Sequence, residues 1–127
     1  MEFKKFSSIE NTYRDKEIQY WIDNINNNIP NIQYILTEKI HGTNFSIFIS
    51  KDEIRYGSRN DFLENNFSFF DWQNTMKKYE SDILKFQQYV IENNINQLAI
   101  YGELYGKGVM KGVYYSNEHN WHRVYLQ

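Results

Sequence analysis

The stretch that most constrains the fold is Thr37-Glu38-Lys39-Ile40-His41-Gly42-Thr43-Asn44-Phe45-Ser46, which sets charged and polar residues between two apolar runs. Ile32-Gln33-Tyr34-Ile35-Leu36 precedes it and Phe45-Ser46-Ile47-Phe48-Ile49 closes it. Both runs are short and rich in β-branched and aromatic residues, so both read as buried strands. Gly42 and Asn44 are residue types that tolerate positive φ, which predicts a turn joining the strands. Lys39 then falls at the mouth of a β-hairpin, expected between apolar walls. A lysine stripped of water is less readily charged, and its free amine is a nucleophile. Covalent lysine chemistry needs that setting.

Lys39-Ile40-His41-Gly42 fits the Lys-x-x-Gly pattern of covalent nucleotidyltransferases: RNA ligases, DNA ligases and RNA capping enzymes. The fuller string Glu38-Lys39-Ile40-His41-Gly42-Thr43-Asn44-Phe45-Ser46 is more specific. It resembles the RNA ligase 2 family, which includes phage nick-sealing ligases and kinetoplastid RNA-editing ligases. Phe3-Lys4-Lys5-Phe6-Ser7-Ser8-Ile9-Glu10-Asn11 also resembles the opening of RNA ligase 2 proteins, although Ser7-Ser8-Ile9-Glu10 reads first as the capping box of a plain helix. A DNA ligase or capping enzyme shares Lys-x-x-Gly, but His41-Gly42-Thr43-Asn44 and the N-terminal match disfavour it.

At 127 residues the chain is one domain at most, long enough for a real core. Its formal charge of −2 gives no global basic footprint, so any nucleic-acid contact has to come from a local patch. With no cysteine, disulfides, thiolate zinc sites and cysteine nucleophiles are excluded. No apolar run approaches membrane-spanning length, and Met1-Glu2-Phe3-Lys4-Lys5 does not open a signal peptide. A soluble protein of the cytoplasm, or of a virus-infected cell, is expected.

The predicted fold class is α+β, an antiparallel sheet with helices packed against it. Strands are expected at Gln33–Lys39, Phe45–Ser50, Ile54–Arg59 and Gln97–Gly102, and Trp121 begins another. Ile18, Trp21, Ile22 and Ile25 make one apolar stripe on a helix near Lys16–Asn26. Trp72, Met76, Tyr79, Ile83, Phe86 and Val90 recur at spacings of four and three. They predict one long helix over Asp71–Asn93, with Asp71 as N-cap and Asn93-Asn94 as the stop. Phe62, Phe67, Phe69 and Phe70 are too many aromatics for a free linker, so the loop carrying them is expected to pack down or cover the site.

Two further positions carry chemistry. Arg59 ends the third strand and reads either as a surface arginine or as a charge-assisted donor to a ribose or phosphate. Glu103 stands at a strand end between two glycines in Gly102-Glu103-Leu104-Tyr105-Gly106, where a helix or strand cap, a contact to a ribose hydroxyl and the orienting of a metal-bound water all fit. His41 could be a metal ligand, an acid–base group or a polar contact. No His/Asp/Glu spacing resembles a metal site, and the metal ligands stay unknown. No P-loop pattern and no serine elbow is present.

The resemblance implies an ATP-grasp-like adenylation domain of the ligase and capping-enzyme type, spanning residues 1–127. It implies Lys39 as the residue that forms lysyl-AMP, with ATP and Mg2+ as cofactors and RNA as the strand repaired. It carries nucleotide contacts to Glu38, Ile40, His41, Gly42, Asn44, Arg59 and Glu103. Glu38 and Asn44 would hold the nucleoside, Arg59 and Glu103 its ribose, and His41 the phosphate geometry. Three family features have no counterpart in this sequence: the adenine-stacking aromatic with Asp-Ile, the distal glutamate motif and the lysine motif that clamps the α-phosphate. The chain is therefore expected to be an incomplete adenylation domain, inactive alone. The alternative is a non-catalytic remnant that binds nucleotide or RNA, or a half-domain that assembles with a complementing chain.

Overall fold

A computed structural model describes residues 1–7, 15–28, 39–113, 115 and 117–126. The chain divides into two compact units, Met1–Phe6 with Ile40–Gln127 and, separately, Ser7–Lys39. The smaller unit holds α1 (Asp15–Asn28). Bonds one turn apart brace this helix, with Gln19 Nε2 donating to Asp23 Oδ1 and Asn24 Nδ2 to the Tyr20 carbonyl, both at 2.7 Å. Ile18 and Ile22 are exposed, so that part of the expected apolar stripe is not buried. The capping box and the strand expected at Gln33–Lys39 lie outside the described residues, save Ser7 and Lys39.

The larger unit is built on β1 (Thr43–Ile49), β2 (Ile54–Gly57), β3 (Leu98–Tyr105) and β4 (Asn120–Leu126). Among the described residues they form one antiparallel sheet in the order β2-β1-β3-β4. The expected α+β class holds. β1 lies inside the sheet and is covered on both sides, so every residue from Phe45 to Ile49 is buried, Ser46 included. On one face Phe45, Ile47 and Ile49 meet Ile100 and Leu104 of β3. That layer is roofed by Trp72, Met76, Ile83 and Val90. On the other face Phe48, Ala99 and Tyr101 pack under Phe3, Phe6 and Phe62. Ser46, buried among apolar neighbours, donates its hydroxyl hydrogen to the Gly57 carbonyl at 3.2 Å.

Three boundaries depart from expectation. The long helix is two: α2 (Trp72–Lys77) and α3 (Glu80–Glu92). Asp71 precedes α2 in the left-handed region at φ 53° and makes no side-chain cap bond. Its Oδ1 accepts instead from Asn74 Nδ2 at 2.8 Å. β2 stops at Gly57 and does not reach Arg59, because Ser58 turns the chain by donating its N–H to the Asp61 carbonyl at 2.9 Å. β3 runs past Gly102 to Tyr105, so Glu103 lies within the strand and not beyond its end.

The stop at Asn93-Asn94 is as expected. Asn94 takes φ 51°, with its N–H bonded to the Ile91 carbonyl and the Ile95 N–H to that of Val90. Those two bonds are the Schellman pattern that satisfies the last helical carbonyls. The aromatic loop packs down only in part. Phe62 and Phe69 join the two cores, whereas Phe67 and Phe70 are exposed. Among the described residues no helix is long and apolar enough to cross a membrane.

Candidate nucleotide site

Residues 39–42 lead into β1 without belonging to a helix or strand. Lys39 is exposed, against the expectation that apolar walls surround it. Glu38 lies outside the described residues. Ile40 is half-buried and His41 exposed. The His41 N–H donates to the Tyr115 hydroxyl at 3.0 Å. Gly42 does not adopt positive φ, and Asn44 is already inside β1, so neither closes a turn in the expected way. Gly42 serves a different need. A Cβ there would collide with the Leu104 carbonyl and sit 3.1 Å from the Tyr105 Cβ. The absence of a side chain lets the segment lie directly against the end of β3.

The β1–β3 register sets Asn44 opposite Glu103. Directly opposed residues of an antiparallel pair share a face and stand within about 5.5 Å at Cβ. Residues alternate along a strand, so Glu103 shares its face with Tyr101 and Ala99, away from α2 and α3. Both Asn44 and Glu103 are half-buried. On its other side Glu103 pairs by register with His122, and the β3–β4 ladder shifts between Tyr101 and Gly102. Such bulges cluster beside functional sites because they re-aim neighbouring positions.

Register also relates Arg59 to this end of the sheet. Gly57 pairs with Ser46 and Ser46 with Tyr101, so the chain leaves β2 toward the level of Asn44 and Glu103. Arg59 then sits in the turn, exposed. Beyond β3, Gly106 at φ 135° has room for no Cβ, which would strike the Glu118 carbonyl and lie 2.9 Å from the His119 Cα. The Lys78 ammonium, hydrogen-bonded to Glu118 at 2.9 Å, holds that exposed carboxyl below its usual range and pins the 117–119 segment. His119 Nε2 lies 2.8 Å from the Lys107 carbonyl, so this histidine ties two turns together. Burial raises the Tyr101 phenol above its ordinary value.

Among the described residues no three His, Asp or Glu side chains gather as a metal site. Magnesium is commonly held by one or two carboxylates and by substrate phosphates, and Glu103 is the half-buried carboxylate at this sheet end. An apolar groove of about 680 Å3 lies elsewhere, on the helix-covered face, lined by Tyr79, Ile83, Phe86, Leu98 and Trp121 among others. Its two charged side chains, Asp82 and Lys85, pair with one another at 2.7 Å.

The sequence signals for Asn44 and Glu103 lay in the motifs themselves. Spacing along the sequence does not single out Tyr115, because its contact with His41 lies 74 residues away in the chain.

A small α+β unit with a four-stranded antiparallel sheet is compatible with a partial nucleotidyltransferase-type domain. The RNA ligase family model matches residues 32–126, and the chain belongs to that family. The match is consistent with the N-terminal part of an RNA ligase 2 protein.

Proposed function

We propose that this protein is an ATP-dependent RNA ligase working through Lys39. The observation that carries the reading is the register placing Asn44 against Glu103, on the strand that the Lys39 segment leads into. In the first step the neutral Lys39 amine attacks the α-phosphorus of ATP. A P–N bond forms, the bond from the α-phosphorus to the bridging oxygen breaks, pyrophosphate leaves and the amine sheds a proton to solvent. Magnesium carried by the phosphates supplies charge neutralisation. Glu38 and Asn44 hold the nucleoside, Glu103 accepts from a ribose hydroxyl, and Arg59 donates to ribose or phosphate. Ile40, His41 and Gly42 shape the phosphate end. An oxygen of an RNA 5′-phosphate next displaces Lys39 from the adenylate. A 3′-hydroxyl then attacks that 5′-phosphate, expels AMP and seals the strand.

The test is covalent labelling. The whole gene product, given magnesium and α-labelled ATP, should acquire AMP through an acid-labile, base-stable bond. Lys39→Ala should abolish the label. Lys39→Arg should abolish it equally, because a guanidinium stays protonated and cannot attack. Label that persists in Lys39→Ala defeats the mechanism.

A second reading is a half-domain that binds nucleotide or RNA without adenylation and assembles with another chain. The apolar groove beside α3 favours it. Nucleotide binding by a protein that never labels, together with a mass in solution above that of one chain, would support it over the ligase.

A further inference from the structure

A backbone segment outside any ladder needs other partners for its amides. The segment from Ile40 to Gly42 is such a stretch, and the His41 N–H finds its acceptor in the Tyr115 hydroxyl at 3.0 Å. The Tyr115 ring is itself fixed edge-on against Tyr105, with centroids 5.8 Å apart and planes at 85°. Tyr105 is the last residue of β3, and Gly42 lies against the backbone there. The end of β3 thus supports the motif segment twice, directly under Gly42 and through Tyr115 at His41. A phenol suits the task, since its ring packs while its oxygen accepts a hydrogen bond.

We propose that Tyr115 is a positioning residue for adenylation, its hydroxyl fixing the His41 backbone and so the path of the chain next to Lys39. This rests on the reading of Lys39 as the adenylated residue. Misplacement of a reacting group by about 1 Å can cost on the order of a hundredfold in rate, whereas the loss of one bond at an exposed amide leaves water as a substitute acceptor. The rate should therefore suffer more than the fold.

The experiment compares wild type, Tyr115→Phe and Lys39→Ala in the whole gene product. The phenylalanine variant keeps the ring and loses only the acceptor. Its label formation at saturating ATP should fall on the order of tenfold, with half-saturating ATP changed less than about twofold and thermal midpoint nearly unchanged. Exchange of the His41 amide with solvent, followed by NMR, should quicken in the same variant. Wild-type labelling by Tyr115→Phe overturns the proposal, and so does slowed labelling with the His41 amide unaffected. If wild type does not label, or Lys39→Ala does, the Lys39 reading fails. Faster His41 exchange in Tyr115→Phe would then still support the tether, and unchanged exchange would overturn it.

Discussion

One added methyl group at Gly42 would drive a carbon into the Leu104 carbonyl, and backbone cannot swing aside as a flexible side chain can. Overpacking of this kind costs about 1–3 kcal/mol, so Gly42→Ala should lower the thermal midpoint and slow AMP labelling together. An unchanged midpoint would show that the segment yields easily. The need for glycine here was legible in the sequence, but its reason was not. The motif suggested a turn with positive φ, whereas the constraint is a neighbour from β3, distant in the chain. Asn44 and Glu103 are coupled by the same pairing. Hydrogen bonds to a charged acceptor contribute about 1.5–3 kcal/mol, so Glu103→Gln should slow label formation by roughly 10- to 100-fold. Asn44→Ala should also slow it, and the double variant should fall short of the two effects summed, as contacting residues do. Strict additivity would separate the two residues functionally.

At the scale of elements, β1 and β2 were legible because short runs rich in β-branched and aromatic residues report burial directly, and Tyr56 packs against the helix-covered core. The break between α2 and α3 was hidden. Trp72, Met76, Tyr79 and Ile83 keep a helical spacing straight across it, so the apolar pattern has no gap where the backbone turns. Tyr79 uses the break: its hydroxyl donates to the Trp121 carbonyl at 3.2 Å and accepts from the Trp121 N–H at 3.3 Å, joining this corner to β4. Tyr56, 4.7 Å from the Trp72 ring, is held above its ordinary value of 10.0, first by burial and second by the Glu80 carboxylate. A folded value above the unfolded one means stability that is complete below pH 10 and lost as pH rises through the folded value. Alkaline titration of tyrosine absorbance should therefore show a late class that loses one member in Tyr56→Phe. A single class titrating near its ordinary value would contradict the buried environment.

For the larger unit as a whole, the face of the sheet that bears Asn44 and Glu103 is covered toward its other end by the N-terminal segment. Phe3 lies 5.4 Å from the Phe48 ring and 5.2 Å from that of Phe62, and Phe6 lies 5.3 Å from that of Tyr101. Gln97 clasps Glu2 through two hydrogen bonds of 2.8 and 2.9 Å, and the Tyr101 hydroxyl donates to the Lys4 carbonyl at 2.8 Å. The sequence showed Phe3 and Phe6 only as a family-like opening, because two aromatics near a terminus have no period to place them. Their position implies a test that separates scaffold from chemistry. Full truncation of a buried phenylalanine costs about 3–5 kcal/mol, and partial exposure of Phe3 reduces this to about 2–3 kcal/mol. Phe3→Ala should thus shift the denaturant midpoint down with little change in slope, since the same surface is exposed on unfolding. At a temperature where both proteins are folded, label formation on Lys39 should stay within about twofold of wild type, because surface away from the reacting groups contributes little to transition-state binding. A stable Phe3→Ala protein would show that the N-terminal segment does not support the sheet. A folded variant with its labelling abolished would place Phe3 within the site.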